Sequence, residues 1–417
     1  MYAFLSPSQR KAVEAIERGD NVFITGCAGS GKSYLLQYLK SSINDRFLQL
    51  TATTGVAAIN IGGTTLHSWA SLGLEELPVL ETAKRIMSAR GTTIRKKIQS
   101  TDVLAIDEIS MLSKETFENV DLLLQIVRGN SEPFGGIQII LFGDFFQLPP
   151  VKSQNFCFES ESWENADIKT ILLTEVFRQN DARFVELLNN IRYGRIVKED
   201  IQLLKSRYKL KYDGVIKPTI LSTHNLSVER INFQYLMDLP TQEHTYEASF
   251  SGDKKKIEIL KKSCIAKESL TLRVGAQVIM LKNSYAKDGI INGSTGIVIG
   301  FSSSSKKYPV VQFENGKEIT VKPDTWEMGN FNPETKEFEV DAYMTQIPLN
   351  LAWAITIHKS QGMTLDRAEC DLARSFAEGQ IYVALSRVKS LKGLFIKSFD
   401  VNNIKINRKI LDFYNSL

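Results

Sequence analysis

The chain has 417 residues, 43% of them hydrophobic and 24% charged, with a formal net charge of +4. At ~150 residues per domain, this length predicts two to three domains, and the charge is too balanced and the apolar content too high for a disordered chain. No apolar run approaches the ~20 residues that span a bilayer, and residues Met1 to Pro7 lack the basic-then-apolar pattern of a secretory leader. The mildly basic balance is compatible with a nucleic-acid partner. Four cysteines (Cys27, Cys157, Cys264, Cys370) stand far apart and read as free thiols in a reducing compartment, and four histidines argue against a histidine-built metal centre.

In chain order, Ser6-Pro7-Ser8 opens a helix over Gln9 to Glu17, with proline just inside its start. Short apolar runs at Asn21–Thr25, Phe47–Leu50, Val103–Ile106 and Ile137–Phe142 alternate with helical stretches at Ser33–Lys40 and Glu115–Arg128. Such runs suit buried parallel strands, and the alternation predicts an α/β domain. A second alternation begins near residue 174: Glu175–Tyr193 reads as helix and Thr219–Ser222 as strand. Between about 236 and 346 the pattern turns to short strands at Val278–Leu281, Ile291–Ser294, Thr295–Ile299 and Val310–Phe313, with Asn315-Gly316 as a hairpin signal. This predicts a small β-barrel inserted into a second α/β domain, whose pattern resumes at Leu349–Ile357.

Gly26-Cys27-Ala28-Gly29-Ser30-Gly31-Lys32-Ser33 fits a phosphate-binding loop between a strand and a helix. Glycines let backbone N–H groups wrap phosphates, the helix N-terminus adds positive potential, Lys32 can reach the outer phosphates, and the Ser33 hydroxyl can ligate Mg²⁺. Asp107-Glu108 ends a predicted strand at the rim where nucleotides bind in α/β sheets. There Asp107 would hold Mg²⁺ and Glu108 would orient or deprotonate the attacking water. Alone, such a pair is more often a solvated loop; the phosphate loop upstream changes the balance.

Gln147, in Gly143-Asp144-Phe145-Phe146-Gln147-Leu148-Pro149-Pro150, could touch a γ-phosphate or the attacking water, although on its own a proline-stopped loop is the commoner reading. Gln9 carries both a donor and an acceptor to match an adenine edge, although a lone surface glutamine is the commoner outcome. Arg178 and Arg387 are candidates for the planar, permanently cationic donor that a transferring phosphoryl group needs, although a lone arginine is more often a surface ion-pair partner.

Taken in order, the phosphate loop, Thr51–Ala58, Thr64-Thr65-Leu66-His67-Ser68, Asp107–Met111, Gly143–Pro150 and Ile357–Asp366 are similar to the motifs of superfamily-one DNA helicases. More narrowly, Phe134-Gly135-Gly136-Ile137-Gln138 before the Gln-Leu-Pro-Pro loop, and Val274–Val278 with Ile291–Gly296, resemble the petite-integration-frequency (PIF) helicases, relatives of the RecD-type helicases. The resemblance runs from Leu5 to about Phe399.

This resemblance implies an α/β fold of two RecA-like P-loop domains, with a small wedge insertion in the first and an SH3-like β-barrel insertion in the second. The implied boundaries are 1–60 and 101–173 for the first domain, 61–100 for the wedge, 174–235 and 347–417 for the second, and 236–346 for the barrel. It implies an ATP-dependent, 5′-to-3′ DNA helicase using ATP and Mg²⁺, working in repair, recombination or replication. Gln9 would read adenine; Gly26, Ala28, Gly29, Ser30, Gly31, Lys32 and Ser33 would hold the nucleotide; Ser33 and Asp107 would hold the metal; Arg178 and Arg387 would be arginine fingers. Single-stranded DNA would meet Thr53, Gly55, Thr64, His67, His224, Asn225, His358, Lys359 and Ser360, whose short polar groups suit phosphate contacts without base reading.

The expected partners are single-stranded and forked duplex DNA, with G-quadruplex and RNA–DNA hybrid as further candidates, no membrane, and a monomer on DNA. Trp69 and Phe146 are candidate stacking surfaces, although an aromatic near a strand end is more often core; Arg95-Lys96-Lys97 and Lys254-Lys255-Lys256 could meet duplex or strand backbone, with solvated faces the commoner reading. The long N-terminal extension of many eukaryotic members is not seen, which leads to the expectation of a bacterial, phage or viral cytoplasm rather than a nucleus or mitochondrion. The rivals are an RNA-preferring or 3′-to-5′ motor, and a nucleic-acid-stimulated ATPase that does not unwind.

Overall fold

The computed structural model describes residues 2–72, 78–150, 153–223, 225–332, 335, 337–372 and 378–417. Its first sheet is parallel throughout and consists of β1 (Val22–Gly26), β2 (Leu48–Ala52), β3 (Thr64–Thr65), β4 (Val103–Asp107), β5 (Gln138–Gly143) and β6 (Lys169–Leu173), in the order β3-β2-β4-β5-β1-β6. The helices of this half are α1 (Pro7–Glu17), α2 (Lys32–Ser42), α3 (Gly55–Ile61), α4 (Leu66–Trp69), α5 (Val79–Met87), α6 (Thr92–Ser100), α7 (Lys114–Arg128) and α8 (Glu161–Asn165).

Burial on both faces explains why these strands are continuous apolar runs. In β1 all five residues are buried. Phe23 packs on one face against Phe145 and Trp163, while Val22 and Ile24 join Leu35, Leu36 and Leu39 of α2 on the other. Each such side chain withdrawn from water contributes about 1.5–3 kcal/mol. The parallel register pairs Thr25 with Gly143, Gly26 with Leu173 and Ala52 with Asp107. The strand ends are therefore level, and the loops after β1, β4, β5 and β6 open on one edge of the sheet, where α/β proteins bind ligands.

The second half contains α9 (Ala182–Tyr193), α10 (Lys198–Lys205), β7 (Thr219–Ser222) and α11 (Asn225–Met237), then an inserted segment of β8 (Glu243–Glu247), β9 (Ser249–Gly252), α12 (Lys254–Ser263), β10 (Ser269–Arg273), β11 (Gln277–Met280), β12 (Thr295–Phe301), β13 (Pro309–Phe313), β14 (Glu318–Thr320), β15 (Asp324–Asn332), β16 (Glu337–Gln346) and β17 (Leu349–Leu351). It closes with β18 (Ala354–Thr356), β19 (Ala368–Asp371), α13 (Gln380–Ser386), β20 (Leu394–Ser398) and α14 (Arg408–Asn415). The second parallel sheet has the order β18-β7-β19-β20, so its strands come from both sides of the insertion. The inserted segment forms an antiparallel sheet β14-β13-β12-β11-β17, a pair β10-β8 and a sheet β15-β16-β9. Leu270, Leu272, Val278, Met280, Val298, Val311 and Phe313 give it a core of its own.

Three local readings differ from expectation. The helix expected from Glu175 starts only at Ala182, because Asp181 caps it by accepting from the N–H groups of Arg183 and Phe184, and the chain before it is bonded to the phosphate loop through Phe177 N–H and Gly29 O (2.9 Å). Ile291–Ser294 is a turn rather than a strand: Gly293 has φ +100°, and a Cβ there would press on the Thr364 backbone. Leu349–Leu351 pairs with β11 of the inserted sheet, and the second parallel sheet is rejoined at Ala354.

The nucleotide cleft and the candidate strand-binding surface

The phosphate loop owes its shape to glycine. Gly29 and Gly31 have φ of +86° and +87°, which side chains disfavour, and both have close neighbours as well. A Cβ on Gly29 would lie 2.5 Å from Arg178 Cβ, and one on Gly31 2.6 Å from Gln9 Nε2. Lys32 folds back over the loop and donates to Gly26 O (2.6 Å) and Cys27 O (3.1 Å). Burial lowers its pKa. The Gln9 side chain is buried, accepts from Ser6 N–H (2.9 Å) in a capping box and donates to Gly31 O (3.3 Å), which places it beside the loop.

Glu108, just past β4, adopts left-handed backbone (φ +54°), unusual for a residue with a side chain and a form of strain that collects at functional sites. Asp107 Oδ1 accepts from Glu108 N–H at 2.9 Å. Burial, and then the neighbouring Glu108, push the Asp107 carboxyl up to about 7. Burial also raises Glu108, opposed by Lys32 and Arg387, so those two cations lie within electrostatic reach of the acid.

Arg178 donates to Thr364 Oγ1 (3.0 Å) and Ser386 O (3.1 Å), reaching segments that flank the second sheet. Burial, together with the nearby Arg387, pulls its pKa down to about 9. Arg387 is buried, donates to Val383 O and Ser386 Oγ (each 3.0 Å), and is held below its usual pKa by burial. Ala28, Gly29, Ser30, Gly31, Lys32, Ser33, Glu108, Gln147, Arg178 and Arg387 line one cleft of about 380 Å³.

The cleft has further walls to which the sequence reading gave no role: Tyr34, Phe177, Ile291, Thr364 and Lys389. Tyr382 was also missed; its hydroxyl accepts the Ala28 N–H at 2.8 Å, joining α13 to the phosphate loop. Tyr382 lies five residues before Arg387, so its motif was visible but its direction was not.

The strand candidates are less uniform. Thr53 donates to Glu108 O (2.9 Å), tying that candidate surface to the Asp107-Glu108 segment. Gly55 begins α3 and abuts Ser263 at the end of α12, so the insertion covers it in this arrangement. Thr64 is buried in the edge strand. Ser360 is also buried and donates to Ile357 O (2.7 Å). His67 is half-buried, and burial lowers its pKa. His358 and Lys359 are exposed. His224 lies outside the described residues, as does the side chain of Asn225.

Both candidate stacking residues take the commoner place, in the core. Trp69 is 0% exposed, and Phe146 at 4% packs between Tyr193 and Tyr414. Of the basic runs expected to be solvated, Lys97 is half-buried beside the Trp69 ring, with its pKa drawn down to about 8 by burial and by Lys256. Lys256 pairs with Asp341 at 3.3 Å.

Two parallel sheets, with a phosphate loop and two arginines meeting in one cleft, define an α/β protein of two RecA-like halves. Residues 4–202 match the family model "PIF1-like helicase" and residues 257–301 the model "DNA helicase Pif1, 2B domain". The chain is 41% identical to "ATP-dependent DNA helicase PIF1" of Xenopus laevis over 99% of its own length and 64% of that protein. It is similar to Bacteroides sp Pif1 in complex with ADP-AlF4, with TM-score 0.87, 31% identity, and coverage of 99% of this chain and 97% of the other. It is also similar to Bacteroides Pif1 bound to ssDNA, at the same identity and coverage, with TM-score 0.66. The chain belongs to the PIF1-like helicase family.

It spans about two thirds of the curated relatives' length, 64% for the Xenopus protein. Relatives from Xenopus laevis, Homo sapiens, Danio rerio and Emericella nidulans are eukaryotic, which overturns the expectation of a bacterial, phage or viral cytoplasmic setting, although a bacterial relative from Psychrobacter is similar too. Among the described residues, no helix is long and apolar enough to cross a membrane.

Proposed function

We propose that this chain is the motor of an ATP-dependent DNA helicase that moves 5′ to 3′ along single-stranded DNA and unwinds duplex. One observation carries the reading: Lys32, Glu108, Gln147, Arg178 and Arg387 share a single cleft although they come from five separate segments. Lys32 replaces its carbonyl partners with nucleotide phosphates, and Gln9 faces adenine. Ser33 and Asp107 would supply the hard oxygen ligands that Mg²⁺ prefers, and the ion, when bound, would neutralise phosphate charge. Glu108 orients the attacking water, Gln147 senses the terminal phosphate, and the two arginines stabilise charge on the transferring phosphoryl group. Because those arginines are anchored on Thr364, Val383 and Ser386, cleft occupancy biases the position of the second half.

The same reading assigns 1–60 and 101–173 to the ATP-binding domain, 61–100 to a wedge, 174–235 and 347–417 to the second RecA-like domain and 236–346 to an SH3-like insertion. The strand passes Thr53, Gly55, His67, Asn225, His358 and Lys359, which requires α12 to leave Gly55. The higher similarity to the ADP-AlF4 complex than to the ssDNA complex supports that view. The Bacteroides Pif1 structures with ssDNA and with forked dsDNA support single strands and forks as substrates here. Unwinding assays on duplexes carrying a 5′ or a 3′ single-stranded tail, with and without ATP, test the proposal. ATP-dependent unwinding of the 5′-tailed duplex is expected. Unwinding of the 3′-tailed duplex alone would reverse the polarity, and ATP turnover without unwinding would leave a DNA-stimulated ATPase.

A further inference from the structure

Behind the cleft lies a buried ion pair between segments far apart in sequence. Arg192, next to the last residue of α9, donates from Nε to Asp144 Oδ2 (3.1 Å) and Oδ1 (3.3 Å), and from Nη2 to Oδ1 (2.8 Å). Nη1 donates to the Tyr193 hydroxyl at 2.7 Å. Arg192 is 3% exposed and Asp144 0%. Phe146, Tyr193 and Tyr414 box the guanidinium, with ring centroids 4.6, 4.9 and 5.3 Å away. Tyr414, from α14, stacks on Phe146 at 4.7 Å, shares a hydrogen bond with Thr25 Oγ1 at 2.7 Å and accepts from Phe145 N–H at 3.3 Å.

A buried pair of this kind is weak evidence for stability, since well-packed apolar replacements often do as well. Its geometry shows what it could do instead. Asp144 is the hub of the loop that carries Gln147: its carbonyl accepts from Gln147 N–H (2.8 Å) and its Oδ1 from Phe146 N–H (3.3 Å). The other side of that loop touches the start of α13, where a Cβ on Gly379 would lie 2.7 Å from Phe146 O and press on Gln147 O. From there α13 carries Tyr382 onto the phosphate loop and leads into Arg387. Helix α9 packs against α13 while its Arg192 holds Asp144, so the one helix touches both partners of this contact.

We propose that Arg192 is a positioning residue for ATP turnover, gripping Asp144 inside the aromatic box so that Gln147 and Arg387 address the same phosphate. The inference rests on the reading of the cleft as an ATP site. The test uses the full chain, with ATP turnover measured on a single-stranded oligonucleotide. Arg192→Lys keeps the charge but loses the two-pronged grip, and the paired variant Arg192→Gln with Asp144→Asn leaves no lone buried charge. For both variants kcat is expected to fall about 10²-fold, as for a misplaced catalytic group, with KM for ATP and the thermal midpoint close to wild type. Wild-type kcat in either folded variant overturns the proposal, and so does a fall in kcat that tracks loss of folded protein. If the unmodified chain turns over no ATP, the reading of the cleft itself fails, and that result is distinguishable from the other two.

Discussion

The nucleotide cleft and the strand-facing surface differ in how far each is built by local sequence. In the cleft, Lys32 at the start of α2, and Glu108 and Gln147 on loops, all follow level strand ends, so correct folding of the sheet brings them together. On the strand-facing surface Gly55 is covered by Ser263, Thr64 and Ser360 are buried, and His358 and Lys359 are exposed. The first region is set by sheet topology, whereas in the second the insertion supplies a neighbour, Ser263 against Gly55. The similarity to the two Bacteroides complexes, 0.87 with ADP-AlF4 and 0.66 with ssDNA at equal identity, fits that division.

The sharpest way to break the comparison is Lys32→Ala. ATP turnover should be abolished while DNA binding measured by fluorescence anisotropy persists; wild-type turnover would remove the phosphate loop from the chemistry. Next comes Arg387→Ala, for which turnover should drop by roughly 10³ with ATP still bound, and unchanged turnover would make this buried arginine structural only.

A smaller effect is expected from pH. The Asp107 carboxyl is pushed up to about 7, and as Glu108 is also raised the two titrate as a pair. Metal binding needs the carboxylate, so kcat/KM should rise as pH increases through about 7, and added Mg²⁺ should move that limb to lower pH. The sign for stability is opposite. Between about 4 and 7 the folded chain keeps a proton that the unfolded chain has lost, so stability falls as pH rises across that window. A flat kcat/KM profile through about pH 7 would contradict the assignment. The mildest test is Lys359→Ala, which should reduce the slope of log binding constant against log salt by about 1, and an unchanged slope would remove Lys359 from the strand path.

What the sequence made legible follows the same division. The phosphate loop, Asp107-Glu108 and the Gln147 loop could be read because short motifs next to apolar runs dictate their own strand-loop context. The Glu175–Tyr193 stretch was misjudged because helical periodicity does not reveal that Phe177 is bonded to Gly29. Trp69 and Phe146 could be read as stacking surfaces or as core, and position along the chain favours core; both are in the interior, Phe146 held by α9 and α14. The Arg192–Asp144 pair, 48 residues apart, had no local signal at all.

In the proposed motor, both halves grip the transferring phosphate together. Binding of ADP and of ADP with aluminium fluoride, by the wild type and by the double variant Arg178→Ala/Arg387→Ala, measures this most directly. The wild type should hold the transition-state mimic about 10²-fold or more tighter than ADP, and the variant should lose that advantage while binding ADP as before. If the variant keeps the full preference for the mimic, the two arginines do not contribute to the grip and the account is wrong.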